Sequence, residues 1–600
     1  MIDWPAFSHL LRKLAHCLPA ACKLLLVTLL ATTSMNSMAA PAKISGILVT
    51  GGNVGSAYRF SPDNSRVVFI ADKDVDGATG LYSVAAGGGA ITKLAGSSVA
   101  GRNVAADFVI SPDGTTVLFL GDLSTDGVDD LYRVPIGGGV VNMMTGSIGV
   151  NGEVREFRVN ATSTRAVFTA NKAIAGVTEL YSAPIGPVVG GPIANLSGPL
   201  VLGGDVSSFE ISPDGATVVF IADKTTDGTS ELYSVPVGGG TVTLLSGAMV
   251  AGGGVDDFAI SPDSSRVVFV ANKTNSAVRE LYSVPLQGGA AINLSGVLVT
   301  NGNVANYRIS PNSAAVVFRA DKSTDGLVQL YSVPIGGGAI STVSSMLAVT
   351  GSGVNNFLIT PNSARVVYRA EGETAGVSEL YSVAITGGST SNLSGVLVSG
   401  GNVSSDFKIS PDSTWVVFRA DKTTDGVHEL FSVGITGSGL NRLSGTLVVD
   451  GDVWFEYVIS PDSKRVVFTA DKTTDEVFEL FSVPITGGNP VNISGPLVAG
   501  ADVEDLIISS DSARVLFRAD KSTDGKLELY RTQVAGEPLA LDVDGDDRVL
   551  ATTDMLLLTR WHLGIRGSAL IAGAVSAGGT RRTVSEIESY IEALSALAAP

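Results

Sequence analysis

Apolar and polar residues fall into short stretches along this chain, and the stretches return in a fixed order. Val255–Ile260 alternates with a period near two, which predicts a half-buried strand. A Ser-Pro-Asp turn follows, in which Pro presets φ and the Asp side chain bonds back to the backbone. The apolar run at 267–271 comes next and fits a strand covered on both faces. In the preceding copy a third strand reads Glu-Leu-Tyr-Ser-Val-Pro at Glu231–Pro236, a Gly-Gly-Gly turn occupies 238–240, and a fourth strand ends in Leu-Ser-Gly. A helical solenoid would show a 3.6-residue period instead.

The order recurs at Ser61, Ser111, Ser212, Ser261, Ser310, Thr360, Ser410 and Ser460, with weaker copies at Asn160 and Ser509, spaced by 49 to 52 residues. Four short strands per unit predict an all-β fold, a β-propeller of about ten four-stranded blades over residues 40–536. The ends of the array predict how it closes. The last copy stops after its third strand, 527–534, whereas Lys43-Ile44-Ser45-Gly46 supplies a Leu-Ser-Gly-like piece before the first copy. A fourth strand lent by the N-terminal segment would complete the final blade and remove two exposed edges, which favours one closed ring. Ten blades exceed the usual four to eight. The third copy has lost Ser-Pro-Asp and carries an insertion at 186–192, so a split into two smaller rings stays open.

The Ser-Pro-Asp-x-x-x-x-Val-Val-Phe segment followed by Glu-Leu-Tyr-Ser-Val resembles the WD-like blades of the TolB family and of the tricorn protease and dipeptidyl-peptidase propellers, over residues 43–536. The resemblance implies a propeller used for protein contact or to gate a separate catalytic domain, and no such domain accompanies it here. It speaks to fold and not to function.

Composition narrows the class. In 600 residues there are 71 Gly, 4 Trp and a charged fraction of 16%, which suits short strands and tight turns rather than disorder. Residues 1–39 have the layout of a signal peptide, with Arg12, Lys13 and Lys23 ahead of an apolar stretch at 24–30 and small residues at Ser37 and Ala39. That stretch is shorter than the roughly 20 residues a spanning helix needs, so an exported chain is expected, extracellular or periplasmic and without a membrane span once mature. Both cysteines, Cys17 and Cys22, fall in the leader, so no disulfide is expected. Cleavage takes the formal charge from −18 to −20, which disfavours nucleic acid and anionic lipid as partners.

Candidate chemistry is sparse. Loops reading Asp-Lys-x-x-Asp-Gly-x-x-Glu, such as Asp223, Asp227 and Glu231, offer acids to a cation. Asn171, Asn272, Glu371, Ala175, Ser276 and Ala375 replace those acids elsewhere, so turn chemistry is the stronger reading. Asn-x-Ser at Asn195, Asn293, Asn392 and Asn492 matches a glycosylation acceptor, and its fixed place in the fourth strand points to repeat structure instead. Outside the leader only His428 and His562 remain, and no nucleophile elbow or zinc helix appears, so no catalytic residue is assigned. Carboxylates from different blades could still meet in the channel, as glycosidases require.

After residue 536 the pattern changes. Acids alternate through Asp542, Asp544 and Asp546, and helices are expected at 554–563 and 584–594. This segment, 537–600, resembles the first half of a dockerin, a small α-helical EF-hand-like module. The resemblance implies calcium held by Asp542, Asp544, Asp546, the Arg548 carbonyl and Asp554. Asp547 stands where Gly is expected, Asp554 falls one residue late, and the second calcium loop is absent. Dockerins bind cohesins on polysaccharide-degrading scaffolds, so a cohesin-like or cell-surface protein partner is implied. The expectation is a non-catalytic exported binding scaffold. The alternative is a polysaccharide-degradation accessory protein or a divergent glycan-active propeller enzyme.

Overall fold

The computed structural model describes residues 41–96, 103–125, 127–146, 152–172, 176–186, 191–344, 353–372, 376–535, 543, 553–575 and 583–597. The leader with Cys17 and Cys22 lies outside the described residues, as do Ala175, Ala375, Asp542, Asp544, Asp546, Asp547 and Arg548. The chain divides into two compact units, one of residues 42–490 and 496–534, the other including 535–600.

The larger unit is the propeller. Among the described residues forty strands pair into ten four-stranded sheets, nine of them made from four consecutive strands. The tenth has the order Ala42–Lys43, Glu528–Gln533, Arg514–Ala519, Val503–Ile508. Ala42 lies opposite Arg531 and Lys43 opposite Tyr530 in an antiparallel pair, so the N-terminal segment closes the last blade as its sequence suggests. The Lys43 ammonium meets Glu528 at 2.9 Å, and Ile44 and Leu48 are buried.

Second strands are apolar through their middle because both faces are covered there, and in Thr217–Ala222 every residue is buried. The cores lie between blades. Val219 and Leu232 of the fourth blade pack with Phe258, Val267 and Phe269 of the fifth. Ile44, Leu516 and Leu529 of the last blade pack in the same way with Val54, Phe69 and Tyr82 of the first. The third blade joins the second through Leu118 and Phe168 and the fourth through Val167 and Phe220, so its lost Ser-Pro-Asp marks no seam. The propeller is a single closed ring of ten blades.

In each blade an aromatic of the second strand stacks on one of the third, from Phe69–Tyr82 to Phe517–Tyr530, with centroids 5.4–5.7 Å apart and planes 19–28° from parallel. Directly opposed aromatic pairs are a main source of sheet stability, and they explain why the few aromatics of this chain recur at fixed places.

The turn after the first strand also links blades. Asp263 Oδ1 accepts the Ser261 and Ser265 hydroxyls at 2.6 and 2.8 Å, and these bonds hold its carboxyl below the usual range. Ser264 sits at φ +58, a conformation that favours glycine. Its Oγ accepts the Asp214 N–H of the preceding blade at 3.0 Å. The same bond joins Asp113 to Ser163, Asp263 to Ser313, Asn362 to Ser413 and Asp412 to Ser463, each at 3.0 Å. A serine in this strained place is therefore an inter-blade staple.

The tail unit contains helices α1, Asp554–His562, α2, Ser568–Ile571, and α3, Val584–Leu597. Its own core gathers Val543, Leu557, Leu570, Ala574, Ile587 and Ile591. The one-turn α2, which periodicity is too short to reveal, places Leu570 in that core. Among the described residues no helix is long and apolar enough to cross a membrane.

Candidate functional site

First strands of successive blades approach one another, and this brings their polar side chains to the inner wall of the ring. Arg59 reaches Asp107 at 2.6 Å, Arg308 donates to the Phe357 carbonyl at 3.0 Å, and Asn356 donates to the Ser405 carbonyl at 3.0 Å. Each of these bonds spans neighbouring first strands. A cavity of 730 Å³ opens against this wall beside Arg59, Asp107, Glu156, Arg158 and Glu210.

The wall carries two kinds of position. The residue before the inward-packed ring is acidic in several blades, Asp107, Glu156, Asp257, Asp406 and Glu456, and Asp505 holds the same place before Leu506. The residue after it is basic in four: Arg59, Arg158, Arg308 and Lys408. Each base lies over the aromatic ring of the following blade, with Arg59, Arg158 and Arg308 at 5.6–5.8 Å from Phe108, Phe209 and Phe357, and Lys408 at 4.7 Å from Tyr457. Such contacts contribute about 0.5–2 kcal/mol according to exposure.

The acids are engaged as well. Glu156 pairs with Arg158 at 2.8 Å and Asp406 with Arg419 at 3.1 Å. Asp505 pairs with Arg518 at 2.8 Å and accepts the Tyr58 hydroxyl at 2.6 Å across the closing interface. Glu210 faces the Ile260 N–H and Glu456 the Leu506 N–H, each of the next blade, and these amides draw the two carboxyls down. Burial pushes the carboxyls of Glu210, Asp257 and Glu456 above their ordinary range. Nearby Asp257 and Glu156 add to this for Glu210, whereas Arg158 opposes it. Carboxylates of three blades, Asp107, Glu156 and Glu210, thus line one cavity. Sequence reasoning named none of them, because their positions vary from blade to blade and their partners lie about 50 residues away.

In the Asp-Lys loops both oxygens of Asp223 serve the backbone, accepting the Asp205 N–H at 2.5 Å and the Gly228 N–H at 3.1 Å. Glu231 accepts the Tyr233 and Thr225 hydroxyls at 2.6 and 2.9 Å. The Lys does more than offset charge. Lys224 donates to the carbonyls of Ser197 and Pro199 at 2.7 Å, tying down the link from the preceding blade. These bonds account for the loop as turn chemistry. Among the described residues no group of three or more His, Cys, Asp or Glu is arranged to hold a metal ion.

The amides of Asn195, Asn293 and Asn392 donate to Glu179, Glu280 and Glu379 at 2.7–2.8 Å, a structural reason for the recurrent Asn-x-Ser. His428 is partly exposed, its Nδ1 3.6 Å from Asp452. His562 is the last residue of α1. Of the calcium-site residues implied by the tail, Asp554 alone is described: it is buried, and its Oδ1 accepts the Val543 N–H at 2.6 Å while its Oδ2 accepts the Thr553 hydroxyl at 2.9 Å. The carboxylate expected to close the loop ties Val543 to the start of α1.

No protein-family model and no curated protein matches the chain. Among solved structures it is similar to a putative TolB from Agrobacterium tumefaciens, at 20% identity over 46% of this chain and 90% of that one, with a TM-score of 0.25. An oligogalacturonate lyase in complex with manganese is 14% identical over 74% of this chain and 98% of that one, with a TM-score of 0.32. The β-propeller domain of the trilobed protease from Pyrococcus furiosus is 13% identical over 57% and 98%, with a TM-score of 0.29. The propeller assignment stands on the strand pairing described above.

Proposed function

We propose that this chain is an exported, non-catalytic binding scaffold, in which the ten-bladed propeller offers its loop faces to a protein or other ligand and the tail docks to a protein partner in a calcium-dependent way. One observation supports the reading above others: the charged side chains of the inner wall are used to join blades. Arg59, Arg158, Arg308 and Lys408 all engage the following blade, and Asp505 accepts the Tyr58 hydroxyl across the closing interface. Groups held this way stabilise a ring and present a fixed surface. The carboxyls of Glu210 and Asp257, raised by burial, favour a second reading, a glycan-active enzyme in which one carboxyl of a pair serves as the proton donor.

A panel of polysaccharides, esters and peptides separates the two. The scaffold gives no turnover above a heat-killed control. Turnover abolished by Glu210→Gln or Asp257→Asn would make the protein an enzyme.

The calcium part rests on Asp542, Asp544 and Asp546 alternating ahead of buried Asp554. Bound calcium would offset their mutual repulsion and anchor α1. Calorimetric titration of the whole chain should show one equivalent of calcium bound, with the heat lost in Asp544→Ala. Several equivalents that survive this substitution would place the ion in the blade loops instead.

A further inference from the structure

The ninth blade departs from the repeat at one spot. Trp454 and Phe455, at the start of its first strand, stand where other blades of the same spacing carry Gly55 and Ser56, Ala105 and Ala106, or Ser404 and Ser405. Phe478, just ahead of the third strand, stands where they carry Ser230, Arg279, Val328 or His428. The three rings gather. Trp454 lies 5.0 Å from Phe455 and 4.7 Å from Phe478, the latter pair inclined at 57°. Trp454 is 41% and Phe455 54% exposed, whereas the other large aromatics among the described residues of the ring are buried or half-buried. The backbone of Phe478 is fixed, its N–H on Asp502 at 2.7 Å and its carbonyl on the Val503 N–H at 2.9 Å.

These rings line a cavity of 450 Å³ at the junction of the eighth and ninth blades, a size suited to a small molecule. Its charge is one-sided. Asp450, Asp475 and Glu476 line it, and among the described residues their carboxylates meet no hydrogen-bond donor or ion-pair partner. Two of the three have displaced glycines. Asp450, at φ +64, occupies the place of Gly203, Gly400 and Gly500, and Glu476, at φ +57, that of Gly228, Gly426 and Gly525. The Arg419 guanidinium at the cavity is occupied by Asp406 at 3.1 Å and the Val453 carbonyl at 2.9 Å. Two further acids are structural: Asp452 accepts the His428 N–H at 2.5 Å, and Asp471 the Glu476 N–H at 3.2 Å.

We propose that this pocket binds a small organic cation, an alkylammonium or quaternary ammonium ion, against the faces of Trp454 and Phe478 with Asp450, Asp475 and Glu476 as counter-charges. Exposed aromatic faces attract a cation through the negative charge of their π-systems, and the unpaired carboxylates add the long-range attraction. A neutral ligand would use the rings and leave the acids without purpose.

The whole chain is titrated calorimetrically with choline and with its uncharged isostere 3,3-dimethylbutan-1-ol. Choline should bind and the isostere should bind at least about tenfold more weakly. Trp454→Ala should weaken choline by about tenfold or more. The double variant Asp450→Gly, Glu476→Gly restores the residues of the other blades, so it should fold at least as well as the parent, yet lose a similar factor in choline affinity. Equal binding of the isostere, no binding of choline at millimolar concentration, or unchanged choline affinity in the double variant would each overturn the proposal. So would binding of a lysine-rich peptide without binding of choline, which would make the pocket a protein-docking surface.

Discussion

A chain that begins at residue 50 should lose on the order of 5 kcal/mol and aggregate. Truncation removes the Ala42–Lys43 strand, the Lys43–Glu528 pair, and the buried side chains of Ile44 and Leu48. Burial of two such aliphatic side chains stabilises by about 1.5–3 kcal/mol each, before any backbone bond is counted. A domain's net stability is about 5–15 kcal/mol, so the loss is a large part of the whole. The edge of Glu528–Gln533 is then open, with its N–H and C=O groups free to pair with another molecule. Thermal melting with size-exclusion chromatography checks both effects, and a peptide of residues 40–49 added in trans should restore part of the stability. An unchanged melting curve would mean that the ring does not depend on its closing strand.

Phe269→Ala should cost about 3–5 kcal/mol, the usual range for emptying a buried aromatic site. Phe269 is fully buried, stacks on Tyr282 at 5.4 Å, and belongs to the core shared by the fourth and fifth blades. Phe318→Ala, the same position one blade on, should cost a similar amount, because Phe318 stacks on Tyr331 at the same distance. Phe455→Ala removes a ring of similar size from an exposed place and should change stability by no more than about 0.5 kcal/mol. Denaturant unfolding of the three variants gives the comparison. Costs that differ widely between the fifth and sixth blades would show that the repeats are not energetically equivalent.

The architecture was legible because strand period, turn residues and repeat length all agree, and because Lys43-Ile44-Ser45-Gly46 supplied the piece that the last copy lacked. What escaped were roles defined by a neighbour about 50 residues away. Ser264 reads as one more turn residue until the Asp214 N–H of the blade before is seen on its hydroxyl. Lys224 reads as a counter-ion to Asp223, yet it caps carbonyls of the preceding link. Arg158 and Glu210 look like ordinary strand polarity, since only the ring curvature brings them to one wall. The fourth strands are mostly two residues long, too short for alternation to define their limits. Trp454 and Phe478 stand out from the repeat by eye, but 24 residues separate them, and nothing in the chain's linear order announces that they touch.

The pairing of Lys43 with Glu528 joins positions 485 apart in the chain, and this separation sets a timetable for folding. At about 5–20 residues per second of synthesis, the first strand waits roughly half a minute to a minute and a half for its partner. Blades in between can pair their own strands as each emerges, because those contacts are local. The ring itself cannot exist until the final blade has been made, and until then both ends of the array present unpaired edges. Circular permutation that starts the chain inside a link between two blades, with the old termini joined, would turn this last-formed pairing into an early local one.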